Sequence, residues 1–263
     1  MLARLHFYPN TGHLYSIFAP PRRARAARHQ DRPHTHMMNN SELMQAALYS
    51  RAAYAPQEFG GLAKKFHTWY SSTTFYFLPK NDFDDRNWIV FKGSTSLPDA
   101  LIDIGALPVY YQGNWVHGGF AYAHPKKKLR KILKNIEGPL YLTGHSLGAI
   151  QSELTLLLVQ REFPWIDCKC VCFGKPRGFK KPLKTRFKKD SIFSVVSSSD
   201  LVTRLPRYLF TYGCKDQNLF YLDSDGAGYL NPDYQFVIDD FNLARSLSDH
   251  SMNQYIEVIK KIT

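Results

Sequence analysis

The most constraining stretch of this 263-residue chain is "PLYLTGHSLGAIQSELTLLLVQ", residues 139–160. A short apolar run enters Gly144-His145-Ser146-Leu147-Gly148, and a long apolar run leaves it. By length and period this reads as a strand over 139–143, one sharp turn, and a helix over 147–160. The two glycines suit a turn so tight that strand and helix pack against each other, because they carry no Cβ to collide. Ser146 stands where the helix begins. In that place a serine is explained equally well as an ordinary helix N-cap.

The neighbouring segments extend the pattern. "NNSELMQAALYSRAAYAP" (39–56) predicts a helix capped by Asn40 or Ser41 and ended by Pro56. "STTFYFLPK" and "RNWIVFKGS" predict strands separated by the turn-rich "NDFDD". The basic stretch 125–136 predicts an amphipathic helix, with Leu129, Ile132, Leu133 and Ile136 on one face. "CKCVCFG" and "SIFSVVSSS" predict two more strands, and 247–261 a final helix with Met252, Tyr255, Ile256 and Ile259 inside. Strands that alternate with helices argue for an α/β fold with a mostly parallel central sheet flanked by helices. Such sheets gather ligands at the carboxyl ends of their strands.

The first 40 residues differ from the rest. They hold six Arg, no Lys and one acid, Asp31, whereas the remainder carries 19 Lys against nine Arg. "APPRRARAARHQDRPHTHMM" has neither helical nor strand period and reads as a disordered tail, residues 1–37, ahead of one domain over 38–263. We take the tail as a non-native extension with translation beginning at Met37 or Met38. A targeting segment is the alternative, since a transit peptide is also Arg-rich and acid-poor. No apolar stretch of signal-peptide or membrane-spanning type is evident, so a cytoplasmic or non-classically secreted protein is expected.

Net charge is +12. Two clusters in the body dominate it, "KKKLRKILK" at 126–134 and the stretch from Lys169 to Lys189, with nine basic residues. Solvated surfaces explain both, and transient contact with a lipid interface or an anionic membrane surface is the sharper reading. Nucleic acid fits less well, because no interleaved aromatic pattern accompanies the charge. Cys168, Cys170 and Cys172 alternate along one strand face, like small apolar side chains. Such thiols fit a reducing compartment, or a secreted protein that needs no disulfide staples.

Context turns Ser146 from a cap into a candidate nucleophile. An apolar strand that runs into Gly-x-Ser-x-Gly and a helix that runs out of it make a nucleophile elbow. A serine there needs a base. In the chain order of such folds an acid and then a histidine follow the serine. His250, in "SLSDHSMNQYIEV", is the one histidine downstream. Asp200 ends the strand-like "SIFSVVSSSD", at the edge where ligands gather, while Asp190 precedes that strand and Asp223 and Asp225 stay open as loop alternatives. The backbone N–H of Leu147 and a donor at Ser94, after the strand ending "IVFKGS", are the expected oxyanion hole. No metal or organic cofactor is needed.

Taken in order, "FKGS", "VHGGF", "LTGHSLGA", "FGKPRG", "VVSSSDLVTRLP" and "DHSMNQY" resemble the class 3 lipases, the fungal triacylglycerol lipase family of the α/β-hydrolase superfamily. The blocks run from about 88 to 255, most of the body. The resemblance implies the α/β-hydrolase fold, with Ser146 as nucleophile, Asp200 as acid, His250 as base, and Ser94 with Leu147 as oxyanion hole. It implies a serine carboxylic-ester hydrolase, a lipase or esterase that cleaves acyl esters of lipids through an acyl-enzyme. It also implies that "STSLPDALIDIGALP" is a lid, with Leu97, Leu101, Ile102, Ile104 and Leu107 as its apolar side chains; buried core is the other reading of that segment. Ala149 departs from the family, which often has a second glycine there, and the basic clusters are heavier than the family pattern. Alternatives are a phospholipase, thioesterase or amidase on the same triad, or a catalytically dead lipid-binding module.

Overall fold

The computed structural model describes residues 38–69, 72–94, 107–180, 187–188, 190–205, 218–223, 227–231 and 248–262. In chain order the elements are helix α1 (Asn40–Ala52), strands β1 (Lys64–Thr68), β2 (Thr73–Leu78), β3 (Asn87–Phe91), β4 (Pro108–Tyr111) and β5 (Asn114–His117), and helices α2 (Gly118–Ala123) and α3 (Lys126–Leu133). There follow β6 (Leu140–His145), α4 (Leu147–Glu162), β7 (Cys168–Phe173), β8 (Ile192–Ser197), β9 (Asn218–Leu222), β10 (Gly228–Leu230) and α5 (Met252–Ile262).

Eight strands form one sheet in the order β1-β2-β3-β6-β7-β8-β9-β10. The five from β3 to β9 run parallel, and antiparallel pairs close both edges. The register follows the two-residue period of a strand. Leu140 and Leu142 of β6 enter the core on one side, with Ile150, Leu154 and Leu157 of α4. Tyr141 enters the other core, with Ala46 and Ala47 of α1 and with Tyr255 and Ile259 of α5. Cys168, Cys170 and Cys172 all face the α4 side, as their alternation predicts, and are buried free thiols. From Gly148 to Val159 every residue of α4 is buried. A helix apolar around most of its circumference is stable only inside a protein.

Several boundaries differ from the sequence expectation. Asn39 caps α1, not Asn40 or Ser41, because its side chain accepts the N–H of Glu42 while Glu42 reaches back to the Asn39 N–H. This reciprocal capping box satisfies two otherwise orphan donors. Helix α5 begins at Met252 rather than 247: Ser251 accepts the backbone N–H of Tyr255 and, through its hydroxyl, that of Asn253. The expected apolar segment before "WVHGGF" ends in a β4–β5 hairpin that seats Val116 and Tyr111 in the core. Lys175 is not in a solvated loop. It is buried in an ion pair with Glu153 of α4, at 2.6 Å. No helix among the described residues is long and apolar enough to cross a membrane.

Because β3, β6, β7 and β8 are parallel, their carboxyl ends share one edge of the sheet. Gly93, Ser146, Gly174 and Asp200 follow those four ends, and the candidate site assembles there.

Candidate active site

Ser146 sits between β6 and α4 with φ 57° and ψ −125°. A side chain with a Cβ avoids that region, and holding one there costs about 1–3 kcal/mol. The surroundings enforce the strain. A Cβ on Gly144 would lie 2.5 Å from the Gly148 carbonyl, and one on Gly148 would lie 2.3 Å from the Phe91 carbonyl. Strand, turn, helix and β3 are therefore in backbone contact, as the two glycines predict. The Ser146 side chain makes no capping hydrogen bond. Its Oγ is buried and has no hydrogen-bond partner among the described residues. The N-cap explanation thus fails for the side chain: Ser146 occupies the cap position without doing a cap's work.

Asp200 and His250 meet although 50 residues separate them. His250 Nδ1–H donates to Asp200 Oδ2 at 2.8 Å and to Oδ1 at 2.9 Å. The same carboxylate accepts the Val202 N–H at 2.9 Å and the Tyr255 hydroxyl at 2.6 Å. Asp200 is fully buried, so these donors replace the water a carboxylate would otherwise hold. With the proton on Nδ1, His250 Nε2 keeps its lone pair. That atom too is buried with no hydrogen-bond partner among the described residues. The arrangement thus leaves one buried hydroxyl and one buried ring nitrogen unsatisfied among the described residues.

Three neighbours that the sequence reading did not single out complete the pair. Tyr255, expected only as an apolar face residue of α5, joins Asp200 to the β8 end, its hydroxyl accepting the Ser197 N–H at 3.2 Å. Burial and the adjacent Asp200 carboxylate push its phenol well above the ordinary range. Gly174, in "FGKPRG", has φ +55°, and a Cβ there would lie 2.7 Å from Asp200 Oδ2 and 3.1 Å from His250 Nδ1. His145, the variable position of the elbow, packs against His250 with ring centroids 4.4 Å apart and the ring planes tilted by 37°.

The remaining expected residues fall as follows. Leu147 is the first residue of α4, where backbone N–H groups lack intrahelical acceptors. Ser94 follows Gly93, at which a Cβ would lie 3.3 Å from Ser146 Cβ. The β3 loop and the elbow are thus in contact. Asp190 lies before β8 and accepts from Asn218, away from the carboxyl edge. Asp223 closes the β9–β10 connection through the Ala227 N–H. Leu97, Leu101, Ile102 and Ile104 lie outside the described residues, as does Asp225; Leu107, the last of the expected lid residues, is exposed.

Comparison with known proteins places the chain in a lipase family. The family model described as "Lipase (class 3)" matches residues 62–210. Diacylglycerol lipase-beta of Mus musculus is 28% identical over 132 residues, 44% of this chain and 19% of that protein. Lipase A of Sodiomyces alcalophilus is 29% identical over 117 residues, covering 34% of this chain and 28% of its own length. The matches thus span well under half of either relative. Among solved structures, the native Rhizomucor miehei lipase propeptide complex superposes with a TM-score of 0.64 at 18% identity, over 82% of this chain and 81% of that one. A triacylglycerol lipase whose report describes a serine protease triad superposes at 0.63 with 16% identity, over 81% and 95%. At these identities the superpositions establish the shared α/β-hydrolase fold.

Proposed function

The chain belongs to the class 3 lipase family, and from that premise we propose that it hydrolyses carboxylic esters of lipids, with Ser146 as nucleophile, His250 as general base and Asp200 as the carboxylate that orients it. One observation carries this reading. The buried Asp200 carboxylate lies 2.8 Å from His250 Nδ1, and Ser146 Oγ and His250 Nε2, the two atoms that acyl transfer uses, have no hydrogen-bond partner among the described residues.

His250 Nε2 takes the Ser146 proton as Oγ attacks the ester carbonyl. Asp200 stabilises the resulting imidazolium without itself taking the proton. The N–H groups of Leu147 and Ser94 receive the oxyanion, and losing one such donor raises the barrier by about 3 kcal/mol. The imidazolium then protonates the departing alcohol, and His250 activates the water that releases the acid. The catalytic domain is residues 38–263. The segment "STSLPDALIDIGALP" serves as the lid, and apolar acyl chains are the substrate class; the names of the relatives bring di- and triacylglycerols into that class.

The test is hydrolysis of p-nitrophenyl esters of increasing chain length by wild type and Ser146→Ala. Turnover that Ser146→Ala abolishes supports the reading. An inert wild type sinks ester hydrolysis, and an undiminished mutant sinks the nucleophile.

Contact with an anionic lipid surface belongs to the same proposal. Lys127 and Lys131 of α3 and Lys134, its C-cap, are exposed and recur at helical spacing. Beside them, Lys128 reaches the His67 carbonyl and the Thr73 hydroxyl reaches the Ala123 carbonyl. These contacts bring the β1–β2 turn, with Trp69 86% exposed, to the α2–α3 junction, where Tyr122 is 75% exposed. Lysines and exposed aromatic rings together suit a headgroup layer. Vesicle binding that rises with phosphatidylserine and falls with salt supports this surface; indifference to both overturns it.

A further inference from the structure

A second set of polar groups, unused by the proton transfers above, runs behind the site. Tyr54 follows the end of α1, and its hydroxyl lies 2.9 Å from His145 Nδ1. His145 Nε2 lies 2.6 Å from the backbone carbonyl of His250. A carbonyl only accepts, so Nε2 carries the proton, Nδ1 is bare, and the Tyr54 hydroxyl is the donor to it. Every hydrogen-bonding position of a neutral imidazole is then filled. Burial, reinforced by the neighbouring His250, holds the His145 pKa well below the ordinary histidine range.

The other side of Tyr54 meets the β3 loop. The backbone of Gly93 lies against the same hydroxyl. A Cβ on Gly93 would lie 2.2 Å from that hydroxyl and 2.5 Å from the His145 carbonyl. The sequence of contacts is therefore Gly93, Tyr54, His145, His250. Its two ends are the residue before Ser94 and the backbone of the general base.

We propose that Tyr54 and His145 form a positioning bridge that holds the base His250 and the Gly93–Ser94 loop in register with Ser146, and that neutral His145 is its obligatory donor–acceptor link. The bridge rests on the assignment of Ser146, His250 and Ser94 above. The competing explanation is packing alone, in which the His145 ring merely fills space beside His250.

Two replacements separate these. Gln keeps one donor and one acceptor but no ring; Phe keeps a ring and loses both hydrogen bonds. On a soluble p-nitrophenyl ester, the bridge predicts that His145→Gln retains kcat within about tenfold, while His145→Phe loses about a hundredfold with KM little changed. Tyr54→Phe is expected to lose about tenfold in kcat and, combined with His145→Phe, to add little further loss, because the two act as one unit. Phe at least as active as Gln, or losses that multiply independently, overturns the bridge.

Ser146→Ala is the control that keeps the two proposals apart. An inert wild type speaks against ester hydrolysis, whereas an active wild type with Phe matching Gln speaks against the bridge alone. The ring-nitrogen NMR spectrum of His145 reads the bridge without turnover. The neutral Nε2–H tautomer at pH 7 is expected; an Nδ1–H tautomer or an imidazolium overturns it.

Discussion

His124 and His250 are buried to nearly the same degree, at 3% and 5% exposure, yet their environments point to opposite uses. His124 has both nitrogens satisfied. The Tyr111 hydroxyl is 2.7 Å from Nδ1, and Thr155 Oγ1 is 2.9 Å from Nε2. The Thr155 hydroxyl already donates to the Gln151 carbonyl, so the ring donates to Thr155 and accepts from Tyr111. His250 has Nδ1 on a carboxylate and Nε2 without a partner among the described residues. Burial therefore does not separate a structural histidine from a proposed general base. The difference lies in the partners: a complete set locks a ring in place, while a carboxylate on one side and an orphan lone pair on the other make a base.

The comparison breaks most readily through activity. His250→Ala is expected to lower kcat by at least about ten-thousandfold in the p-nitrophenyl ester assay, with thermal unfolding little changed. His124→Leu inverts this result. It leaves kcat within about threefold, because the residue lies apart from the reacting groups. It lowers stability by about 1–3 kcal/mol in a denaturant titration, because the Tyr111 hydroxyl loses its buried acceptor, whereas Thr155 keeps its bond to the Gln151 carbonyl. Asp200→Asn sharpens the tautomer argument. It preserves shape but disfavours Nδ1–H, and should reduce kcat by about ten-thousandfold. Tyr255→Phe removes one of the donors to Asp200, and a loss near tenfold in kcat is expected, with KM unchanged.

The smallest effect is a slope with pH. Burial, with smaller contributions from Lys126 and Arg130, pushes His124 down to about 3. In the unfolded chain an ordinary histidine titrates near 6.5. Between those values the unfolded chain binds a proton that the folded one refuses, so this contribution to stability is complete above about pH 6.5 and declines as pH falls toward 3. His145 acts in the same direction. Denaturant midpoints measured from pH 7 to 4 should fall less steeply in His124→Gln than in wild type. Equal slopes would remove His124 from the acid sensitivity.

Much of this difference was legible in the chain itself. Strand-to-helix alternation around 139–160 gives the parallel sheet, and the order serine, strand-end aspartate, lone downstream histidine selects Ser146, Asp200 and His250. What escaped is contact between distant residues. Tyr54 and His145 are 91 positions apart, and each alone is an unremarkable tyrosine or the variable residue of a turn. Tyr255 reads as apolar because its ring does lie in the core; only the structure reveals where its hydroxyl goes. Gly174 carried one usable signal, a glycine immediately after a strand, but nothing local says that an acid–base pair fills the space of its missing side chain. The edge strand β1, "KKFHT", is largely exposed and lacks apolar alternation, so it offers no period to detect. Lys175 read as one of a basic run because its partner, Glu153, lies on a different element.

The central claim is that Ser146 is the one hydroxyl His250 activates, and covalent capture tests it most directly. Treatment with an alkyl fluorophosphonate followed by peptide mass mapping should place a single phosphonyl group on Ser146. Ser146→Ala should take up none, and His250→Ala should react far more slowly. An active enzyme that resists the reagent, or that carries the label on another residue, would contradict the account.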